Sequence, residues 1–187
     1  MHFLEQLANA LDRFILRIGQ FAGFFFLLNT IIILVDVLTR RAGYQIPGLG
    51  STRLQELEWH IHTVLFAFVL GATYVHDAHV RVDVIVGSFS RRTRAWIELV
   101  GCILLALPFL FVTFRYGYDF LYRSFRIFEG SVSPQGLPAR YVIKSIFMLG
   151  FAVFFLSVIS SICRSILIIS GHTTSSRVND KHLGELP

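Results

Sequence analysis

Four stretches of this chain run for 16 to 19 residues without a charged side chain, counting histidine as neutral. They are "IGQFAGFFFLLNTIIILV" at 18–35, "WHIHTVLFAFVLGATYVH" at 59–76, "LVGCILLALPFLFVTF" at 99–114 and "SIFMLGFAVFFLSVISSIC" at 145–163. A helix needs about 20 apolar residues to cross the hydrocarbon of a bilayer, and tilt and snorkelling ends bring the shorter runs within range. The third run is extended by the aromatic-rich "RYGYDFLY". Unpaired backbone groups in hydrocarbon cost several kcal/mol each, and four segments are too few to close a barrel, so the runs are expected as helices. The composition agrees: 54% of residues are hydrophobic and only 16% charged, outside the usual range of a soluble domain.

The expected fold is therefore all-α and integral to the membrane, with four transmembrane helices in one domain over residues 1–170. Residues 171–187 form a polar tail that is expected to be mobile. The first run is not read as a cleaved signal peptide, because "DVLTRRAGYQIPG" follows it without a small-residue cleavage site. Cys102 and Cys163 lie in separate apolar runs and read as packing residues. No connection is long enough to form an extramembrane domain, and no repeat or low-complexity tract is visible.

Arginine and lysine are divided almost evenly between the two sets of connections, so the positive-inside bias is weak. The densest cluster, "RRTR" at 91–94, favours a cytoplasmic second connection, and with it cytoplasmic N- and C-termini. The net charge of +5 suits a protein beside anionic lipid headgroups, and nothing resembles a nucleic-acid-binding motif.

The second connection contains "HDAHVRVDVIVGSFS" at 76–90. Its alternation looks like a strand, but a lone strand at a membrane surface leaves its edges unpaired. Val82, Ile85, Val86 and Phe89 fall on one helical face, so a short interfacial helix is expected between helices two and three. His76, Asp77, His79 and Asp83 have metal-ligand chemistry, but close spacing alone lacks the rigid multi-ligand cluster of a structural zinc site. A polar turn at headgroup depth is the simpler reading. At the other end of helix two, in "QELEWHIH", Glu56–His60 and Glu58–His62 stand four apart and are expected as local pairs, with Trp59 as an interfacial aromatic.

A membrane-anchor subunit of a redox complex is the main competing class, since small helical membrane subunits can hold haem between two histidines. Here His60, His62, His76 and His79 all belong to helix two or its exit, and His60 and His76 are about 24 Å apart along it. No nucleophile–base arrangement or phosphate loop points to an enzyme, and no cofactor or metal is implied. Asn29, Ser157, Ser160 and Ser161 are few for a transport path or an independent small channel, and serve more often as interhelical contacts. A subunit that braces a larger membrane partner is what the residues support.

The segments "LQELEWHIHTVLFAFVLGATYVHDAHVRVDV" at 54–84, "SRRTRAWIELVG" at 90–101 and "EGSVSPQGLPARYVIKSIFMLGF" at 129–151 closely resemble the small membrane subunit, DctQ type, of tripartite ATP-independent periplasmic (TRAP) transporters. The resemblance covers roughly residues 14–168 and lies nearest the dicarboxylate and mannitol/chloroaromatic branch. It rests most on Glu58–Trp59, on the Gly71–Asp83 segment and on "GLPAR" with Lys144; Met148 stands where that branch leads one to expect a proline.

The resemblance implies a multi-pass protein of the bacterial inner membrane that takes part in sodium-coupled uptake of organic acids. Its partners would be a large multi-spanning membrane subunit, a periplasmic substrate-binding protein and membrane lipid. The small subunit would pack against the scaffold of the large one and help dock the periplasmic protein. Glu56, Glu58, Trp59, His76, Asp77, His79, Arg81, Asp83, Pro138, Arg140 and Lys144 become the candidate subunit-contact or structural residues. The "HDAHVRVD" stretch would be the charged cytoplasmic elbow of helix two.

Overall fold

The computed structural model describes residues 2–44, 46–76 and 89–172. Among them the chain is helical, without a β-strand, and forms four long helices: α1 (His2–Arg41), α2 (Ser51–Val75), α3 (Arg91–Arg126) and α4 (Arg140–Ile169). Each contains one of the apolar runs almost whole. The interfacial helix expected between the second and third helices falls on 77–88, outside the described residues.

Two of the helices differ from the expectation for physical reasons. α1 begins at His2, well before the apolar run at 18–35, because Ala8, Asp12 and Ile15 continue a buried face at spacings of four and three. α3 passes through a π-helical turn, Cys102–Ala106, in which the Leu107 amide reaches back to the Cys102 carbonyl. Pro108 follows, and its ring would clash with the Leu104 carbonyl in an unbroken α-helix, so the wider turn relieves that contact. The start of α3 is capped by Ser90, whose hydroxyl accepts from the Thr93 amide at 3.2 Å.

Interhelical contacts give the directions. Gly19 of α1 meets Ala72 of α2 while Asp36 lies across a cavity from Leu54, and Asn9 bonds Arg164 of α4 while Asp12 bonds Ser160, so α1 runs antiparallel to both. α2 and α4 run parallel, with Ala67 against Gly150 and Gly71 against Ser157. α3 is antiparallel to α4, as shown by Phe114 on Phe155 and Phe125 on Tyr141. The result is an up-down-up-down bundle with α4 and α2 inside.

Small residues set the approach of the inner helices. A Cβ added at Gly150 would stand 2.5 Å from the Ala67 Cβ and 2.6 Å from its carbonyl oxygen, and one at Gly71 2.9 Å from Ser157 Oγ. Close backbone approach of this kind is how helices associate where lipid removes the hydrophobic drive. Gly117 does the same for α3, since Met148 lies over it and fills the space a side chain would take. Around these contacts two apolar clusters form, one on Ile15, Ala72, Val75 and Val153, the other on Cys102, Leu110 and Val158.

α1, α3 and α4 are long and apolar enough to cross a membrane. Their apolar windows are 17%, 11% and 39% buried respectively, which puts α1 and α3 on the outside of the bundle. α2 has the length, at 25 residues, but Glu58, His60 and His62 interrupt its apolar character.

Candidate functional site

The polar residues singled out in the sequence divide between the two ends of the bundle. At the end where α1 and α3 finish and α2 and α4 start, the Glu56 carboxylate is the centre. Two turns into α2 and 8% exposed, it accepts from the Ser131 hydroxyl, from the Leu137 amide at 2.5 Å and from Arg140 Nη2 at 3.2 Å. Two donors from the loop and one from the first residue of α4 thus meet one acceptor on α2. The local pair expected between Glu56 and His60 does not form, because the carboxylate turns to the loop. His60 Nδ1 lies 2.5 Å from the Glu56 main-chain oxygen instead.

Arg140 has a second role. Its guanidinium lies over the Trp59 ring, 5.8 Å from the centroid, and its amide donates to the Glu129 carbonyl at 2.7 Å. Lys144, one turn further along α4, pairs with the Glu129 carboxylate and stands 3.9 Å over the Phe120 ring. Arg53 ties the outer part of the loop, donating to the Gln135 carbonyl at 3.1 Å and to Gly48 at 2.8 Å. Lys144, hydrogen-bonded to Glu129, holds that carboxyl below the usual glutamate range.

The loop's backbone shows how firmly it is set. Ala139, at the start of α4, has φ 62°, a left-handed conformation that costs a non-glycine residue about 1–2 kcal/mol. The Leu137 and Arg140 bonds on either side hold it there. Pro138, between them, is exposed and fixes its own φ. Gly136 is required for space, since a Cβ there would stand 2.6 Å from Glu56 Oε2 and closer still to Ser131.

The structure therefore gathers Glu56, Trp59, Pro138, Arg140 and Lys144 at one end. Glu58 does not join them: its Oε1 is buried without a hydrogen-bond partner, so the expected pair with His62 is not made at that oxygen. His76 caps the opposite end of α2, exposed, its amide donating to Ala72. It is 20 residues, or about 30 Å, from Glu56. Asp77, His79, Arg81 and Asp83 lie outside the described residues.

The far end holds contacts that the sequence reading missed. Asp12 of α1 accepts from Ser160 Oγ at 2.5 Å and Arg164 Nε at 2.8 Å, and Arg164 also donates to Asn9 Oδ1 at 2.9 Å. Glu98 of α3 accepts from Tyr74 and Ser161, both at 2.9 Å. Ser157 donates to the Gly71 carbonyl at 3.1 Å. Ser157, Ser160 and Ser161 are thus the interhelical contacts expected of them. Asn29 is buried in α1 with its Oδ1 unpartnered. Cys102 and Cys163 are buried and not joined in a disulfide, and Cys102 Sγ lies 3.3 Å from the Tyr74 hydroxyl.

The arrangement fixes a loop and locks helices together. Beside the hub, Ile127, Phe128 and Val132 are exposed at 71%, 76% and 90%, an apolar rim on an anchored loop. A family model described as "Tripartite ATP-independent periplasmic transporters, DctQ component" matches residues 29–167. No curated protein and no solved structure matches the chain.

Proposed function

Because the chain belongs to the DctQ component family of tripartite ATP-independent periplasmic transporters, we propose that it braces the large transport subunit and helps dock the periplasmic binding protein during sodium-coupled uptake of an organic acid. The observation that carries this reading is the pairing of two outward apolar helices with one anchored loop. α1 and α3 expose Phe24, Leu27, Leu104, Leu105 and Phe111, surface suited to lipid and to another membrane protein. At the hub end, the Glu56-held loop offers a fixed rim of the kind a soluble partner can dock on.

The reading takes all four helices as spans of the bacterial inner membrane. α1 and α3 are parallel to each other, both being antiparallel to α4. The chain must cross back between them, and α2 is the helix that runs in the return direction. Of its histidines, His60 is half-buried and turned onto the Glu56 main-chain oxygen, while His62 is exposed.

With both termini cytoplasmic, the hub end faces the periplasm. A cysteine at Val132 should then react with a membrane-impermeant thiol reagent added to spheroplasts, and one at Ser90 should not; the opposite pattern reverses the orientation.

Reconstitution tests the division of labour. The purified small subunit in liposomes, with a sodium gradient and the periplasmic protein, should leave organic-acid uptake at background. Adding the large subunit should restore it. Uptake by the small subunit alone defeats the bracing role.

A further inference from the structure

Beyond Arg41 the chain turns back through Gly43 and Gly48, at φ 68° and 80°, and encloses a cavity of about 130 Å³ against the first turn of α2. Its walls include Asp36, Thr39 and Arg40 from α1, Tyr44 from the turn, and Ser51 and Leu54 from α2. The volume has room for several water-sized groups.

Asp36 is 2% exposed. Its Oδ2 pairs with Arg40, while its Oδ1 is buried with no hydrogen-bond partner. The neighbouring hydroxyl does not serve it, since Thr39 Oγ1 donates to the Val35 carbonyl at 2.8 Å. A buried carboxylate oxygen without a donor is costly, so this wall of the cavity selects a donor, and a cationic one best. Arg40, half exposed at the mouth, adds an anion-binding group beside it. A primary ammonium with a phosphate a few atoms away matches both.

The surroundings favour a lipid as the source. Ile33 and Val37, one turn before Asp36 and Arg40, are exposed at 41% and 52%, with Leu34 and Leu38 beside them at 56% each. A headgroup in the cavity has apolar helix surface directly next to it for its acyl chains. Asp36 closes the apolar run of a helix long enough to span, which sets the cavity at headgroup depth. We propose that this cavity is a headgroup site for a phospholipid with a primary ammonium, which donates to Asp36 Oδ1 while its phosphate lies against Arg40. The inference rests on α1 crossing the membrane and not on the transport reading.

The full chain in nanodiscs of phosphatidylglycerol mixed with equal phosphatidylethanolamine and phosphatidylcholine provides the test, with retained lipids counted by native mass spectrometry. Trimethylation removes every donor from the choline headgroup. The unaltered chain should retain the ethanolamine lipid over the choline lipid by about tenfold, the factor one charge-assisted hydrogen bond supplies. Asp36→Asn should bring the ratio close to one, and millimolar soluble phosphoethanolamine should leave it unchanged. Equal retention by the unaltered chain overturns the proposal without recourse to any variant. So does an undiminished preference in folded Asp36→Asn, and displacement by soluble phosphoethanolamine reassigns the cavity to a free solute.

Discussion

Asp12→Ala is expected to destabilise the bundle by about 3–5 kcal/mol, the range for removing one partner of a buried ion pair. Asp12 is 6% and Arg164 9% exposed, and the carboxylate joins Ser160 and Arg164 of α4 to α1. Truncation takes from the buried Arg164 guanidinium the carboxylate that pairs with it. The double variant Asp12→Leu/Arg164→Met removes the charge with its partner and should recover most of the loss, because apolar residues of similar volume replace a buried pair at little cost. Thermal unfolding in detergent, with the unaltered chain and both variants measured together, decides the matter. A loss under 1 kcal/mol for Asp12→Ala would place the pair among solvated surface bridges.

That pair also marks the limit of what the sequence displays. Charged residues end each apolar run, and that rule finds hydrocarbon-length segments well. The same rule cuts α1 at Arg17, which leaves Asp12 outside the run, and ends the fourth run at Arg164, although both helices continue and the two charges are buried against each other. Nothing local joins residues 12 and 164. The spacing of Glu56 and His60 shows the opposite error. Four residues on a helix do allow a pair, but one imidazole competes with three donors from residues 131, 137 and 140, and the loop wins.

What was legible is the part governed by local pattern. Helix positions follow the apolar runs, whereas Trp59, Pro138, Arg140 and Lys144 enter among eleven candidates through the family resemblance, and no local pattern joins them at one end of the bundle. Ser131 and Gly136 sit in the same "EGSVSPQGLPAR" stretch, yet their functions depend on a carboxylate more than 70 residues away. The π turn before Pro108 had a sequence signal, since a mid-helix proline must be accommodated somehow. Met148 shows complementarity rather than a kink: its bulk is matched by Gly117 on the facing helix.

Glu56→Ala should release the 129–140 loop while leaving the four helices in place. The substitution strips the acceptor from Ser131, the Leu137 amide and Arg140 at once, and Ala139 then has less to hold it at φ 62°. A nitroxide on Val132→Cys reads the effect directly, since that position is exposed and both native cysteines are buried. Its spectrum should change from constrained to mobile in Glu56→Ala, and Glu56→Gln should fall between, keeping an acceptor but losing the charge opposite Arg140. Acid should act in the same direction through Glu129. Lys144 keeps that carboxyl below its ordinary value, so the stabilisation is complete above about pH 4.3 and is lost as pH falls through the lower folded value. The label should therefore stay constrained from pH 7 to pH 5 and loosen only below about pH 4.3. A spectrum unchanged by Glu56→Ala would mean that Arg53 and the turn itself hold the loop, and the docking rim would no longer depend on the carboxylate at its centre.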